Sequence, residues 1–377
     1  MKKHELTIKP TNACNMRCRH CYHFGTNYDD LRISADKVKK MMNIWAQDCD
    51  VFEVLWHGGE PTLMGLGFYE EMFEFEEQLK QKLGINIVNI IQTNGVLIDD
   101  SWCQLFKYYN VSVGVSFDGP HNDLLRMNTE RVYNNISLLR KHDIKNYSCL
   151  CVVTKETIDK LVDIYEWFRR NEINYKIIAI SKDGLPPDIS DLVVDKESYA
   201  NNLVKGFKRW LFDVDCPIVV STFLNMALRH LNFVRGVLPK SCSCLHTRVG
   251  MDSRGNIFPC GKFYDSKYKI ADIDSIDSID DVLRSPVRNR LLNKIDFHMQ
   301  NCRKNCKYFP LCYGGCIVAK LSENTLGKVY TDSCCKLSGL FDDIRPMILK
   351  LVEDYKHNNV GGYNQKLINT IRQRRLA

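Results

Sequence analysis

The sequence predicts an α/β fold: a partial (β/α)6 barrel of the TIM type, followed by a cysteine-rich domain with a small β-hairpin and helices. Strand-like and helix-like stretches alternate from residue 4 to about residue 180, as parallel strands joined by crossover helices require. Six such units are present, fewer than the eight of a closed barrel. Nine of the 17 cysteines fall between residues 242 and 335, which marks a separate second part.

Each element follows from hydrophobic spacing. Short apolar or alternating runs predict strands at residues 4–10, 51–56, 85–92, 111–117, 149–154 and 175–180. Apolar residues three and four apart predict helices at 33–49, 68–83, 102–108, 132–141 and 158–170. Later helices are expected at 197–212 and 337–355, and an aspartate-rich turn at 272–281 leads into a helix with an acidic first turn.

At about 100–200 residues per domain, 377 residues suggest two or three domains. We expect the barrel at 1–185 and a helical bridge at 186–239. The cysteine-rich domain should cover 240–340, and a C-terminal helix with a basic tail should cover 341–377.

Composition excludes several classes of protein. A net charge of +7 on a chain with 26% charged residues fits a solvated surface, so no nucleic-acid partner is expected. No run approaches the ~20 apolar residues of a membrane helix, so no membrane partner is expected. The N-terminus has two lysines without a following apolar segment, which is not a secretory signal, and we expect a cytoplasmic protein. Without secretion, 17 cysteines indicate metal or redox chemistry rather than disulfides.

The first cysteine group, Cys14, Cys18 and Cys21, has CxxxCxxC spacing and follows the first predicted strand. Three thiolates on one loop can bind three irons of a [4Fe–4S] cube and leave the fourth iron open. An open iron can bind a small molecule and pass an electron into it. Zinc is the alternative, although structural zinc usually takes four ligands in CxxC pairs.

Polar segments follow the next three strands, at residues 57–61, 92–95 and 116–120. In a barrel the carboxyl ends of the strands carry the chemistry. Gly58 and Gly59 allow close approach to a ligand, and the carboxylate of Glu60 suits an ammonium group.

These motifs, in this order over residues 5–180, resemble the radical S-adenosylmethionine (SAM) superfamily. The resemblance implies that the open iron chelates the amino and carboxylate groups of SAM. One electron then yields a 5′-deoxyadenosyl radical that removes hydrogen from an unactivated C–H bond. His20 is a departure, since an aromatic residue usually precedes the last cysteine of the family motif.

The resemblance also implies a SAM pocket. Gly58, Gly59 and Glu60 would meet the amino group, while Ser116 and Arg126 resemble the positions that hold the carboxylate and ribose. Gln92 and Asn94 would line the pocket, with Thr93 between them. A surface arginine at 126 and a strand-ending turn at 94–95 are the alternatives.

The later cysteines resemble the SPASM domain of radical SAM enzymes that act on peptides, because several spacings agree at once. The resemblance implies two auxiliary [4Fe–4S] clusters, three clusters in all. The first would take Cys242 or Cys244 or both, with Cys260 and Cys316; the second would take Cys302, Cys306, Cys312 and Cys334.

Two spacings depart from the SPASM pattern. Cys302 and Cys306 are separated by three residues instead of two, and Cys242 lies unusually close to Cys244. If only one of Cys242 and Cys244 binds, the first auxiliary cluster has an open iron. Cys335 is spare or replaces Cys334, and a zinc-binding C-terminal module is the alternative to the clusters.

Two groups of SPASM-bearing enzymes fit: maturases that cross-link ribosomally made precursor peptides through carbon–carbon (cyclophane) or thioether bonds, and anaerobic sulfatase-maturating enzymes that make formylglycine from Cys or Ser. In the second group an aspartate base directly follows the cysteine equivalent to Cys260, where this chain has Gly261. Asp265 is a candidate base, four residues further on. We therefore expect a peptide maturase, with sulfatase maturation as the alternative.

The expected partners are a precursor peptide and an electron donor such as flavodoxin or ferredoxin. The first strand begins by residue 4, so no peptide-recognition domain is expected ahead of the barrel, and a separate leader-peptide recognition protein becomes a candidate partner. Two other classes remain open. A small-molecule radical dehydrogenase would need no peptide, and a zinc or iron–sulfur scaffold would not cleave SAM.

Overall fold

The computed structural model describes residues 2–21, 30–180, 187–237, 244–261, 266–316, 338–374 and 376. The strands are β1 (Lys3–Ile8), β2 (Val51–Trp56), β3 (Asn86–Thr93), β4 (Ser112–Ser116), β5 (Tyr147–Val153), β6 (Tyr175–Ala179), β7 (Arg248–Met251), β8 (Asn256–Phe258) and β9 (Ala271–Asp272). The helices of the barrel part are α1 (Ala35–Trp45), α2 (Leu66–Leu83), α3 (Asp100–Tyr108), α4 (Thr129–Lys141) and α5 (Leu161–Arg170). Those that follow are α6 (Lys196–Leu211), α7 (Ser221–Val234), α8 (Cys244–Thr247), α9 (Ile279–Leu283), α10 (Pro286–Asn305), α11 (Phe309–Cys312), α12 (Ser338–Lys356) and α13 (Gln365–Arg374).

The chain divides into two compact units. The first comprises residues 1–116, 125–147 and 242–295, and the second comprises 117–124, 148–241 and 296–377. Both units contain residues from the barrel and the C-terminal part of the sequence, so the four-part division into 1–185, 186–239, 240–340 and 341–377 stays a prediction.

The sheet of the first unit has the order β4-β3-β2-β1-β7-β8-β9. Strands β1 to β4 pair in parallel, as the βα alternation predicts. Strand β1 pairs with β2 on one edge and, also in parallel, with β7 on the other. Both edges of β1 are therefore occupied. The order of the described strands is linear and does not return to its start, so the sheet is open and the partial-barrel prediction is confirmed. In the second unit β5 and β6 pair in parallel.

The predicted small hairpin is β7 and β8, which pair antiparallel. Gly250 in β7 lies close to the turn after β8, because a Cβ atom there would be 3.0 Å from the carbonyl oxygen of Cys260. The hairpin therefore carries Cys260 to the edge of β1, an arrangement that local spacing alone does not predict.

Strands β1 and β2 alternate strictly between buried and half-buried residues. Leu6, Ile8 and Val54 on one face belong to the core, as a sheet face covered by helices requires. The opposite face carries charge near its amino end, where Lys3 contacts Glu5 at 3.2 Å and Glu53 at 2.9 Å. At the carboxyl ends of the strands, this half-buried face leads into the polar segments that follow them.

Caps fix several helix starts. The side chain of Ser34 accepts from the N–H of Lys37 before α1, and Asp99 accepts from Trp102 before α3. Ser278 caps α9, whose first turn contains two aspartates, as the sequence predicts. Among the described residues, no helix is both long and apolar enough to cross a membrane.

Candidate active site

The loop after β1 carries the three cysteines of the first group, and all three are half-buried. The N–H of Met16 donates to Sγ of Cys14 at 3.4 Å, and the N–H of Cys21 donates to the carbonyl of Cys18 at 3.2 Å. Burial raises the pKa of the Cys14 thiol to about 11. A coordinating thiol is deprotonated, so a metal held by this loop would displace the proton of Cys14.

Gly58 and Gly59 hold this loop against the end of β2. The N–H of Gly59 donates to the carbonyl of Thr11 at 3.1 Å, and a Cβ atom on Gly59 would lie 2.1 Å from the carbonyl oxygen of Ala13. Gly58 has φ +121°, and its Cβ would lie 2.8 Å from the oxygen of Thr11. The close approach of the cysteine loop therefore requires glycine at both positions. The predicted contact of these glycines with the amino group of SAM stays a prediction.

Glu60 is fully buried and joins the ends of β2 and β3. Its Oε1 accepts from Thr62 N at 3.0 Å, Thr62 Oγ1 at 2.6 Å and Thr93 Oγ1 at 2.7 Å, and its Oε2 accepts from Asn94 N at 2.7 Å. Burial raises the pKa of this carboxyl, while these hydrogen bonds oppose the rise. Oε2 accepts one of these bonds and has a further lone pair, so an ammonium ligand stays a prediction.

Asn94 contacts the cysteine loop directly. The N–H of Val96 donates to Asn94 Oδ1 at 3.0 Å, which fixes the amide orientation. The Asn94 Nδ2 then donates to Asn15 Oδ1 at 2.7 Å and lies 3.7 Å from Sγ of Cys14. The sequence singles out Asn94 as a pocket residue, and the structure adds this hydrogen bond to a cluster-motif cysteine.

Gln92 and Ser116 lie on the half-buried face of adjacent strands. The Nε2 of Gln92 donates to Oγ of Ser116 at 2.9 Å. Both therefore lie at the carboxyl ends of the strands, where a ligand pocket is expected.

Arg126 lies beside the cysteine loop, and its predicted contact with SAM stays a prediction. The N–H of Arg19 donates to the carbonyl of Leu125 at 2.9 Å, so the chain before α4 runs along the loop. Burial, together with the smaller effect of the Arg126 charge, lowers the pKa of His20 to about 3. Nδ1 of His20 is buried and has no hydrogen-bond partner among the described residues.

Lys9 is a site residue that the sequence analysis missed. It is 2% exposed, although it directly follows β1. Burial lowers its pKa well below the usual value, against the charges of Asp252, Cys21 and Cys260. A fully buried lysine between the cysteine loop and the Cys260 hairpin is unusual for that residue type. In the alternation of β1, Lys9 falls on the half-buried face with Thr7, so the spacing of the strand gave no signal that it would be buried.

His57 also escaped the sequence analysis as an individual residue. The N–H of Gly58 donates to Nδ1 of His57 at 2.7 Å. Because Nδ1 is then the acceptor, the neutral ring carries its hydrogen on Nε2. The N–H of His57 donates to the carbonyl of Ile8 at 2.9 Å, which fixes the residue beside the end of β1.

The second cysteine group is only partly described. Cys260 and Cys306 are half-buried, as is Cys312, while Cys302 is buried and Cys316 is exposed. The remaining predicted residues lie outside the described part of the chain, namely Cys242, Asp265, Cys334 and its neighbour Cys335, together with the side chain of Cys244.

Gly261 follows Cys260 and contacts β1. A Cβ atom on Gly261 would lie 2.7 Å from both Oγ1 and Cγ2 of Thr7. No real Cβ atom approaches so closely, so Thr7 occupies the space that a larger residue at 261 would need.

The donor set of the first loop fits a [4Fe–4S] cluster. Three thiols lie on one loop, and Cys14 receives N–H groups from Met16 and Asn94, as is common for cluster sulfurs. Within the described ranges, no three His, Cys, Asp or Glu side chains meet closely enough to hold a single metal ion.

Comparison with known proteins identifies a matching family for the barrel part of the chain. Residues 8–168 match the model of the radical SAM superfamily. A cysteine-type anaerobic sulfatase-maturating enzyme of Clostridium novyi (strain NT) is 28% identical over 84% of this chain and 88% of its own length. A serine-type anaerobic sulfatase-maturating enzyme of Bacteroides thetaiotaomicron is 25% identical over 88% of this chain and 86% of its own.

Solved structures share the fold. Native anSMEcpe with bound AdoMet has a TM-score of 0.78 at 22% identity, covering 93% of this chain and 99% of that one. SuiB of Streptococcus suis bound to the precursor peptide SuiA has a TM-score of 0.59 at 18% identity, covering 89% and 76%. The likeness to both structures supports an open α/β barrel with a C-terminal domain.

Proposed function

The protein is a radical SAM enzyme, and on that premise we propose that it is a maturase that cross-links residues of a ribosomally made precursor peptide. The bond formed is a carbon–carbon (cyclophane) or a thioether bond. Cys14, Cys18 and Cys21 would hold the first [4Fe–4S] cluster. The SPASM cysteines, Cys260 and Cys302 among them, would hold two auxiliary clusters.

When bound, the first cluster and SAM supply a carbon-centred radical that takes hydrogen from an unreactive C–H bond, and the auxiliary clusters supply an acceptor for the surplus electron. The chain's own residues orient and enclose these groups. Asn94 and the N–H of Met16 fix the sulfur of Cys14. Gln92 and Ser116 supply polar groups at the strand ends, and Arg126 supplies positive charge beside the loop.

The observation that carries the choice of reaction is the contact between Thr7 and Gly261. Formylglycine formation removes a proton as well as a hydrogen atom from the side chain, and so needs a base at the reacting residue. The resemblance puts that base directly after Cys260. Here the position has no side chain, and the Thr7 side chain lies only 2.7 Å from where a Cβ atom would be. This favours cross-linking over the chemistry of the sulfatase-maturating relatives.

Sulfatase maturation is the second candidate, because relatives with that name match most of the length of this chain. It would require Asp265 or another group to act as base. The two candidates share the radical step and differ in the product.

The proposed partners are the precursor peptide, an electron donor such as flavodoxin or ferredoxin, and a separate leader-peptide recognition protein. We assign the reaction to the cytoplasm because thiolate-bound clusters need a reducing compartment.

The test is anaerobic co-expression with each short open reading frame beside the gene, followed by tandem mass spectrometry of the peptides. A cross-linked product is lighter by two hydrogens per bond, and its backbone does not fragment between the joined residues. The matched control is the Cys14→Ala variant, which should leave the peptide unchanged. Unchanged peptides together with conversion of a sulfatase's active-site Cys or Ser to formylglycine would overturn the proposal in favour of the second candidate.

A further inference from the structure

We propose that His298 donates a hydrogen bond to the sulfur of Cys302 and thereby sets the reduction potential of the auxiliary cluster that Cys302 would bind. This inference rests on the auxiliary clusters of the proposed function. His298 belongs to no cysteine motif, and neither the spacing of the sequence nor the expected ligand set includes it.

His298 and Cys302 lie four residues apart on α10, so their side chains share one face of the helix. His298 is 0% exposed and Cys302 is 6% exposed. The Nε2 of His298 lies 3.5 Å from Sγ of Cys302, within hydrogen-bonding distance for sulfur. It also lies 3.2 Å from the carbonyl oxygen of Gly314.

The contact with Gly314 identifies which ring nitrogen carries hydrogen. A carbonyl oxygen only accepts, so Nε2 must be the donor in this contact. A nitrogen that carries hydrogen cannot bind a metal. With its hydrogen on Nε2, His298 has no lone pair there for a metal, so it is not an additional cluster ligand. The same hydrogen is shared between two acceptors, the Gly314 oxygen at 3.2 Å and the Cys302 sulfur at 3.5 Å.

The same histidine joins Cys302 to the turn that contains Cys312 and Cys316. Gly314 has φ +75°, and a Cβ atom there would lie 2.5 Å from Sδ of Met299. The turn thus packs directly on α10 at residues 298–299. Through its two contacts His298 fixes the distance between the Cys302 sulfur and this turn, which is a positioning role.

Hydrogen bonds to cluster sulfurs withdraw electron density and raise the reduction potential of the cluster. Removing the His298 donor should therefore lower the potential of the auxiliary cluster. This would weaken its ability to accept the surplus electron from a substrate radical.

The test uses full-length protein with Cys14, Cys18 and Cys21 changed to Ala, so that only auxiliary clusters load. The midpoint potential is measured by an anaerobic redox titration followed by electron paramagnetic resonance. His298→Leu should shift the potential downward with iron content unchanged, and His298→Gln, which keeps an N–H donor, should restore much of the shift. His230→Leu is the matched control, since His230 is equally buried but bonds the Met226 carbonyl.

A second measurement does not depend on whether the His298 variants fold. Pulsed resonance on ¹⁵N-histidine-labelled auxiliary-only protein should detect a weak nitrogen coupling to the reduced cluster. An unchanged potential in His298→Leu with full iron content, no nitrogen coupling, or a strong coupling typical of a bound nitrogen would each overturn the role of His298. An auxiliary-only protein that binds no iron would instead overturn the proposed cofactor set, and the His298 role with it.

Discussion

Gly59 and Ala13 approach so closely that a Cβ atom on Gly59 would lie 2.1 Å from the carbonyl oxygen of Ala13. The N–H groups of Gly59 and Glu60 donate to Thr11 and Ala13 at 3.1 and 2.8 Å across the same contact. The glycine segment after β2 therefore packs directly against the backbone of the cysteine loop and fixes its position.

Gly59→Ala should displace the cysteine loop, because the clash is with backbone that cannot rotate away. We expect loss of iron from the first cluster and a large loss of SAM cleavage, since a displacement of about 1 Å can cost about 100-fold in rate. Iron analysis and anaerobic 5′-deoxyadenosine formation measure both. Gly67→Ala is the control, because nothing lies within 4 Å of its Cβ position. Full iron content in Gly59→Ala would contradict this account.

Asn94→Asp should lower the reduction potential of the first cluster. It replaces an N–H donor 3.7 Å from the sulfur of Cys14 with a negative oxygen. The change also removes the donor to Asn15. A redox titration of the first cluster, in protein whose auxiliary cysteines are replaced, measures the shift. Asn86→Asp makes the same change of charge at an exposed position at the start of β3 and should leave the potential unchanged. Equal potentials in the two variants would count against the contact.

The sequence predicted the barrel strands well because their signal is local. Val51–Trp56 lies where the apolar run places it, and the CxxxCxxC loop follows β1 as expected. The strand that pairs with the other edge of β1, β7, was not predictable in this way. The pairing of β1 with β7 joins residues more than 240 positions apart, and nothing in the spacing of either strand specifies its partner.

The same limit applies within the site. The spacing of the motif identified Gly59 and Asn94, but it did not indicate that both contact the cysteine loop. Lys9 was missed because a lysine is ordinarily a surface residue, and residues distant in sequence, Gly58 among them, lie against it in the fold. The expected ammonium ligand of Glu60 stays a prediction, but the spacing did not indicate that its oxygens accept four hydrogen bonds from Thr62, Thr93 and Asn94.

Stability should fall as pH rises through the titration of Glu76. This residue is 1% exposed, and its Oε1 has no hydrogen-bond partner among the described residues. Burial raises its pKa to about 8, against the hydrogen bond from Asn89. Because the ordinary pKa is about 4.3, the folded state binds more protons than the unfolded state between about pH 4.3 and 8. Unfolding free energy therefore decreases across that window.

Glu76→Gln should remove this dependence. We expect it to stabilise the protein by a few kcal/mol at pH 8, where the buried carboxylate would otherwise be charged, and to have little effect near pH 4. Differential scanning calorimetry at both pH values measures the change. Glu77→Gln is the control, because Glu77 is exposed and paired with Lys80. An equal rise in melting temperature at both pH values would refute the assignment to Glu76.

Because Thr7 and Gly261 are in contact, we expect a substitution at Gly261 to be damaging and a smaller residue at position 7 to compensate for it. Gly261→Ala should cost about 1–3 kcal/mol, the usual cost of overpacking, because its Cβ would lie 2.7 Å from the Thr7 side chain. The strain falls on the backbone of Cys260, so auxiliary iron should decrease as well. Gly339→Ala has open space at its Cβ within a helix, so this control should lower neither stability nor auxiliary iron.

Thr7→Gly removes the opposing side chain, so the double variant Thr7→Gly/Gly261→Ala should regain melting temperature and iron relative to Gly261→Ala alone. A double variant as impaired as the single one would show that Thr7 does not restrict residue 261. If the rescue holds, Thr7→Gly/Gly261→Asp places a carboxylate where sulfatase-maturating relatives have their base. Formylglycine formation by that variant, and not by the parent, would indicate that this one contact separates the two reactions.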